Sequence, residues 1–364
     1  AKEGTPYCVV AQVNQKLPYM VNDAEVDADT FDLILENEQF NTTLFSTPKL
    51  PVTTPDYMIG LHASSLIPDG GTLQIGIGAL GDAIVYAAQL RQEDNSTYIK
   101  ALEQSGSLEY SRDIIKQAGG TAPFEKGLYG ATEMFVDGFL HLYNAGILKR
   151  KVYDFWALQQ LVNEERCDPD NITPAVLSEL EDLGVRVIRT KDFDVLQHHG
   201  FFTDPPQYDN GYIVAPDGTR VIANVADPNA RSVLGAQCLG KELRRGIVAH
   251  GGFFLGPNDF YQGLNDMSEE ARAEICMTGV DKINQLDLNP RLYRLQRNNA
   301  RFINTGIMAT LNGAVVSDGL EDGRVVSGVG GQYNFVATAH QLPTGRSILM
   351  IRSTREKDGL VSSN

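Results

Sequence analysis

TLQIGIGALGDAIVYAAQL, residues 72–90, is the stretch that decides the fold. TLQIGIG is an apolar, β-prone run, and DAIVYAAQL places apolar residues at helical spacing. Between them Gly76, Gly78 and Gly81 spell GxGxxG, in the strand–turn–helix order of a dinucleotide-binding unit. Such a unit also needs an acid about 20 residues on, at the end of a second strand. Glu103 stands near that distance, but STYIKALEQSG around it is polar and equally compatible with a helix. A nicotinamide or flavin site, a structural tight turn and a glycine loop for another phosphate-bearing ligand all fit the spacing.

Outward from this stretch the texture stays α/β. MIGLHASSLI has helical spacing, QEDNSTYIKALEQSG is a polar stretch, GLYGATEMF reads as a strand into a turn, and VDGFLHLYNAGIL as a helix ending near Gly146. The same texture returns after residue 245. GIVAHGGFFLG is a strand into a glycine turn and SEEARAEICMTGV a helix. RFINTGIMATLNGAVVSD and GRVVSGVGGQYNFVATAHQL hold strands and a second glycine loop, and RSILMIRST is a strand. Between the two parts, ITPAVLSELEDLG is a helix with Thr173 as cap and Pro174 at its first position. GVRVIR is a strand there, and GYIVAPDGTRVIANV a hairpin around Asp217-Gly218. At the other end of the chain YCVVAQV is a strand, and the acids of NDAEVDADTFDLILEN read as solvated surface. Pro48, Pro51 and Pro55 stiffen a connector.

The expected architecture is α/β: a mostly parallel sheet with helices on both faces, carrying an inserted α+β subdomain with a hairpin. The expected divisions are a strand and linker segment at 1–56, an α/β domain at 57–155 and 246–364, and the insert at 156–245.

The chain has 364 residues, 42% hydrophobic and 21% charged, with a net charge of −15. That balance excludes nucleic acid and anionic membrane surfaces as partners, since both reward clusters of Lys and Arg. No apolar run reaches the roughly 18 residues of a membrane span, and no signal-peptide pattern is read, so a cytoplasmic protein is expected. Cys8, Cys167, Cys238 and Cys276 are too scattered for a metal or redox motif, and are expected as free thiols. There is no HExxH, no paired Cys/His cluster and no GxSxG elbow, and PTGRS lacks the upstream glycine and the lysine of a P-loop. His198 and His199 are adjacent and would face opposite ways in a strand. No metal site is expected.

What remains is one carboxylate and two glycine loops. GATEMFVDG places Glu133 where a strand passes into a helix. An acid there either complements the helix N-terminus or acts as a nucleophile. SGVGGQYNF supplies Gly328, Gly330 and Gly331, where the backbone either makes a flexible turn or aims N–H groups at a ligand.

Taken together these stretches resemble the acetyl-CoA hydrolase/transferase family, the group with 4-hydroxybutyrate, butyryl and succinyl-CoA:acetate CoA-transferases. TLQIGIGALGDAIV is similar to its LQxGIGxxPDAV segment, and LYGATEMFVDGFLHLYNAGILKR to its GxHTEMxxDGxxxLxxxGxI segment. FINTGI is similar to INSAI, and RVVSGVGGQYNFVATAHQLPTGRSILMI to SGxGGQxDFxxGAxxSxGGKSI. The four fall in the family's order. The resemblance implies that Glu133 is the catalytic nucleophile. It implies that Gly76, Ile77 and Gly78, with Gly328, Val329, Gly330 and Gly331, hold the thioester oxygen and the CoA. It places Asn304 and Gln332 near the thioester end. Coenzyme A enters as substrate, with no permanently bound cofactor.

The implied reaction moves CoA from an acyl-CoA to a short carboxylate through a glutamyl-CoA thioester. Acyl-CoA hydrolysis is the alternative, and a catalytically silent acyl-CoA-binding or assembly module the alternative of another class. Met308 and Thr310 replace two acids of the family pattern, Gly81 replaces a proline, and residues 88–125 and 156–245 read as insertions. The resemblance covers mostly the family's second half, so an N-terminal half of the same protein is expected to be missing. A homodimer is left open.

Overall fold

A computed structural model describes residues 7–46, 49–320, 322–328, 330–357 and 359–363, so Pro48 and Val329 lie outside the described residues. Its centre is a six-stranded sheet in which every pairing is parallel. The strands are β1 Thr72–Ile75, β2 Tyr129–Val136, β3 Ala249–Leu255, β4 Ile275–Met277, β5 Ala300–Thr305 and β6 Arg346–Met350. They lie in the order β6-β5-β1-β2-β3-β4. The chain steps outward from β1 to β4, then returns to the other flank of β1 for β5 and β6. The order therefore reverses between β1 and β5, and in open α/β sheets ligands bind beyond the carboxyl ends of the strands at such a point.

All four residues of β1 are buried. Successive side chains of a strand point to opposite faces, so both faces of the sheet are covered there. The covering elements of this unit include α1 Thr54–Ser64, α2 Ala79–Glu93, α3 Asn95–Gln104, α4 Asp137–Asn144, α5 Asn258–Asp266, α6 Val280–Asn284 and α7 Gln332–Gln341. Leu73, Ile75, Ile84, Phe135, Phe139 and Ile303 sit at the heart of the core. Burying each such side chain contributes about 1.5–3 kcal/mol. The first helix starts earlier than MIGLHASSLI suggests: Pro55, expected in the connector, occupies its first turn, and Asp56 Oδ2 accepts the Thr53 N–H at 3.0 Å.

Several segments depart from the pattern read in the sequence. The polar stretch after α2 is helix α3, capped by Asp94, and its buried face is only Tyr98 and Leu102. Two apolar residues at i, i+4 spacing give a faint periodicity. SEEARAEICMTGV splits into a short helix, Glu269–Ala273, and the buried edge strand β4. QYNFVATAHQ is helical, with Phe335, Thr338 and Ala339 buried at i, i+3, i+4. GVRVIR makes only an isolated bridge, Val187 with Asn224. The helix expected to start at Thr173 begins at Val176, because Pro174 and Ala175 form a turn closed by the Val176 N–H on the Thr173 carbonyl. The acidic stretch is not simply solvated. Leu33–Leu35 pairs in parallel with Val10–Gln12, and Asp32 accepts the Val9 N–H at 2.7 Å.

The chain divides into two compact units. The first takes the chain up to Arg150, Val248–Gln285 and everything from Asn298 on. The second is Lys151–Ile247 with Leu286–Arg297 added from further along. It has its own core, including Leu158, Leu177, Phe193, Phe202, Ile213 and Leu234. The expected hairpin is there, Tyr212–Val214 against Arg220–Ile222, with Gln207–Asp209 as a third antiparallel strand. Among the described residues, no helix is long and apolar enough to cross a membrane.

Candidate active site

Glu133 is the fifth residue of the eight-residue strand β2, not the residue at the strand–helix junction. The acid that complements the helix N-terminus is Asp137, in the first turn of α4. Asp137 and Asp82, the latter in the first turn of α2, both meet Lys49, at 2.7 and 3.3 Å. Burial opposes the charge on Lys49, but Asp137 and Asp82 outweigh it and raise the ammonium above its ordinary range. The helix-complementing role is thus filled by Asp137 and not by Glu133.

The carboxylate of Glu133 lies against the second glycine loop. A methyl group placed on Gly331 would overlap Glu133 Oε2, and one on Gly330 would lie 4.0 Å from Oε1. Opposite Glu133 across the sheet is Gly252, between the paired Gly251 and Phe253 of β3. A methyl there would lie 2.9 Å from the Glu133 carbonyl oxygen and 2.9 Å from Val280 Cγ2. The bare backbone at Gly252 lets helix α6 settle beside the acid. From the end of that helix Asn284 Nδ2 donates to Glu133 Oε2 at 2.5 Å. A carboxylate only accepts, so the NH₂ end of the amide must face it. The sequence gives no motif for Asn284 or Gly252; only the packing of α6 on β2 and β3 brings them here.

The first glycine turn follows β1. Gly78 has φ 102° and ψ 177°, a region open essentially to glycine, and it precedes α2 without a side-chain cap. Gly81 lets the first turn of α2 close on the Gly76 carbonyl, where any Cβ would collide. Methyl groups on Gly76 or Gly78 would meet nothing within 4 Å. Beside them is a cleft of about 980 Å³ lined by Met58, His62, Ile77, Gly78, Gly306 and Arg352, among others. Ile77–Gly78 follow β1, Thr305 ends β5 and Gly306–Ile307 follow it, so the cleft lies at the switch point of the sheet. A smaller pocket of about 60 Å³ joins Ile77 and Gly78 to Val136 and Asp137 at the end of β2.

Arg352 is fixed at the cleft wall by the fully buried Asp56, which accepts from its Nε and an NH₂ nitrogen at 2.7 and 2.9 Å. That guanidinium holds the Asp56 carboxyl down to about 2, with the Thr53 N–H and hydroxyl helping against burial.

The other expected residues are placed differently. Asn304 is buried on β5, where its amide exchanges hydrogen bonds with Gln74 of β1 at 3.2 and 3.3 Å. Gln332 opens α7, and its Nε2 donates to Ser317 at 2.6 Å. Asn304 thus ties β5 to β1, and Gln332 ties the start of α7 to Ser317. Val329 lies outside the described residues. Glu103 sits inside α3 rather than at a strand end, which removes the ribose-binding acid of a dinucleotide site. In the second unit, buried His199 accepts the Asp154 N–H at 2.9 Å, and burial pushes its imidazole down to about 4. Cys167 and Cys238 are buried free thiols, and burial raises both to about 11. No group of three or more His, Cys, Asp or Glu is placed to hold a metal ion among the described residues.

Residues 256–364 match the family model described as the acetyl-CoA hydrolase/transferase C-terminal domain. The 4-hydroxybutyrate coenzyme A transferase of Clostridium kluyveri is 35% identical over 82 residues, 21% of this chain and 17% of that protein. RipA from Yersinia pestis is similar in structure, at 18% identity and a TM-score of 0.46, over 98% of this chain and 51% of its own. The 4-hydroxybutyrate CoA-transferase of Porphyromonas gingivalis gives 18% identity and a TM-score of 0.44, over 94% and 49%. The chain thus spans about half the length of these two structures. Gly328–Gly331 and Asn284 fall inside the matched span of 256–364, whereas Glu133 and Gly76–Gly78 fall outside it.

Proposed function

We propose that this chain, which carries the acetyl-CoA hydrolase/transferase C-terminal domain over residues 256–364, transfers CoA between an acyl-CoA and a short carboxylate with Glu133 as nucleophile. The observation that carries the reading is the Glu133 carboxylate lying in the space a side chain would take at Gly331. A strand far outside the matched span is thereby brought onto the glycine loop inside it. CoA enters and leaves as substrate in this reading and is not a resident group.

The chemistry follows from the groups present. Glu133 attacks the thioester carbonyl, the C–S bond breaks, and CoA thiolate leaves a mixed anhydride. The thiolate then attacks the glutamyl carbonyl and the acyl group departs as its carboxylate, leaving a glutamyl-CoA thioester. An acceptor carboxylate reverses the sequence and carries the CoA away. Each step exchanges one anion for another, so no strong general base is required. The barrier is the charge growing on the carbonyl oxygen, and each fixed N–H donor aimed at it is worth about 3 kcal/mol. Asn284 holds one carboxylate oxygen, which leaves the other to attack.

The test is chemical trapping. The protein is incubated with acetyl-CoA, treated with borohydride or hydroxylamine, digested with trypsin and mapped by mass spectrometry. The expected result is a modification at Glu133, on the peptide Gly127–Lys149, that is absent from Glu133→Gln. Turnover that depends on an added carboxylate marks the transferase, and turnover in water alone the hydrolase. CoA binding with no adduct and no turnover would leave the silent binding module in its place.

A further inference from the structure

Helix α6 has only five residues and no side-chain cap. A single turn of helix is unstable in isolation, so tertiary contacts must hold it in place. Two of these are the buried Ile283 and the seating of Val280 over Gly252. The third comes from the acidic segment near the start of the chain. Asp23 Oδ2 accepts from Thr278 Oγ1 at 2.6 Å, just before the helix, and from Lys282 Nζ at 3.0 Å, within it. Asp23 is itself pinned: Asn22 adopts φ 63° and donates from Nδ2 to the Ala273 carbonyl at 2.9 Å. Thr278 is tied to the sheet by its N–H on the Gly251 carbonyl at 2.8 Å.

We propose that Asp23 is a positioning residue for Glu133: by tying Thr278 and Lys282 it holds helix α6 where Asn284 orients the carboxylate. The inference rests on Glu133 being the nucleophile. Asp23 touches no reacting atom, so its effect passes entirely through Asn284. Burial works against the ionised form of Asp23, but the Thr278 hydroxyl, Lys282 and the nearby His250 outweigh it and hold the carboxyl below its usual range. The link is therefore charged at neutral pH.

The experiment compares Asp23→Asn, Asp23→Glu, Asn284→Ala and the double variant Asp23→Asn/Asn284→Ala in the full chain. Two readouts are taken. One is the rate at which a water-soluble carbodiimide with an amine labels Glu133, scored by peptide mapping, which needs no turnover. The other is kcat and KM with acetyl-CoA and a carboxylate acceptor. In Asp23→Asn, labelling of Glu133 is expected to rise about threefold or more, and kcat to fall about tenfold with KM within about twofold. Asp23→Glu should recover part of kcat. The double variant should be no worse than Asn284→Ala alone, because the two act through one contact.

Unchanged labelling in Asp23→Asn, or losses that multiply in the double variant, would overturn the proposal. If Asp23→Asn does not fold, Lys282→Met cuts the same link from the other side. Failure of both to fold would make the link structural and end the positioning role. If the wild-type protein forms no adduct and turns nothing over, the reading of Glu133 as nucleophile fails. The carbodiimide rates still decide whether Asp23 acts on Glu133.

Discussion

The two glycine loops of the first unit require glycine for different reasons. At Gly78 the reason is the residue's own backbone, φ 102° and ψ 177°, while a methyl there would meet only open space. At Gly331 the backbone is ordinary, φ −70° and ψ −2°, and the reason is a neighbour: the Glu133 carboxylate takes the room. The first is a demand of conformation and belongs to folding. The second is a demand of proximity and belongs to the site. A substitution at each should therefore fail in a different way.

The largest effect is expected at the acid itself. Glu133→Gln should lower acyl-CoA turnover by about 10³-fold or more, because the amide is no nucleophile, with little change in the melting temperature. Steady-state kinetics beside a thermal melt measure both. Gly331→Ala comes next. The added methyl must displace the Glu133 carboxylate, and a misplacement of about 1 Å is enough to cost about 10²-fold in rate. Its stability should hold. If Gly331→Ala keeps full activity and loses stability instead, the contrast between the loops is wrong.

Gly78→Ala should show the opposite pattern: a loss of about 1–3 kcal/mol of stability from the forced backbone, read by urea unfolding. The smallest effect is at the cleft wall and depends on pH. The folded carboxyl of Asp56 titrates near 2, below its ordinary 3.8, so its pairing with Arg352 stabilises the protein above about pH 4. That contribution disappears as pH falls from about 4 to about 2. Discounted for the half-exposed Arg352, it is about 1–2 kcal/mol. Unfolding free energies of wild type and Asp56→Asn should differ at pH 7 and converge toward pH 2. A gap that persists at pH 2 would assign the cost to packing rather than to charge.

Much of the sheet was legible because its strands are short apolar runs followed by glycine or by strong helix signals. TLQIGIG, GLYGATEMF and RSILMIRST all became strands of one parallel sheet. The errors fell where local signals were weak or mixed. SEEARAEICMTGV hides a three-residue edge strand behind a helix-forming start. The acids near residue 23 looked like surface, yet Asp23 is tied to residues 278 and 282. A carboxylate's partners more than 250 positions away leave no trace in its own neighbourhood.

The strand, glycine turn and helix of residues 72–90 were legible in the sequence alone, because backbone preference and hydrophobic period act over a few residues. Tertiary structure decided that Glu133 stands within its strand and meets Gly331, and that Asn284 holds it. It also decided that Asn304 bonds to Gln74 and Gln332 to Ser317. Those outcomes depend on which strands become neighbours and which short helix packs over them. That choice is made by burial of the whole core, and no local run of residues contains it.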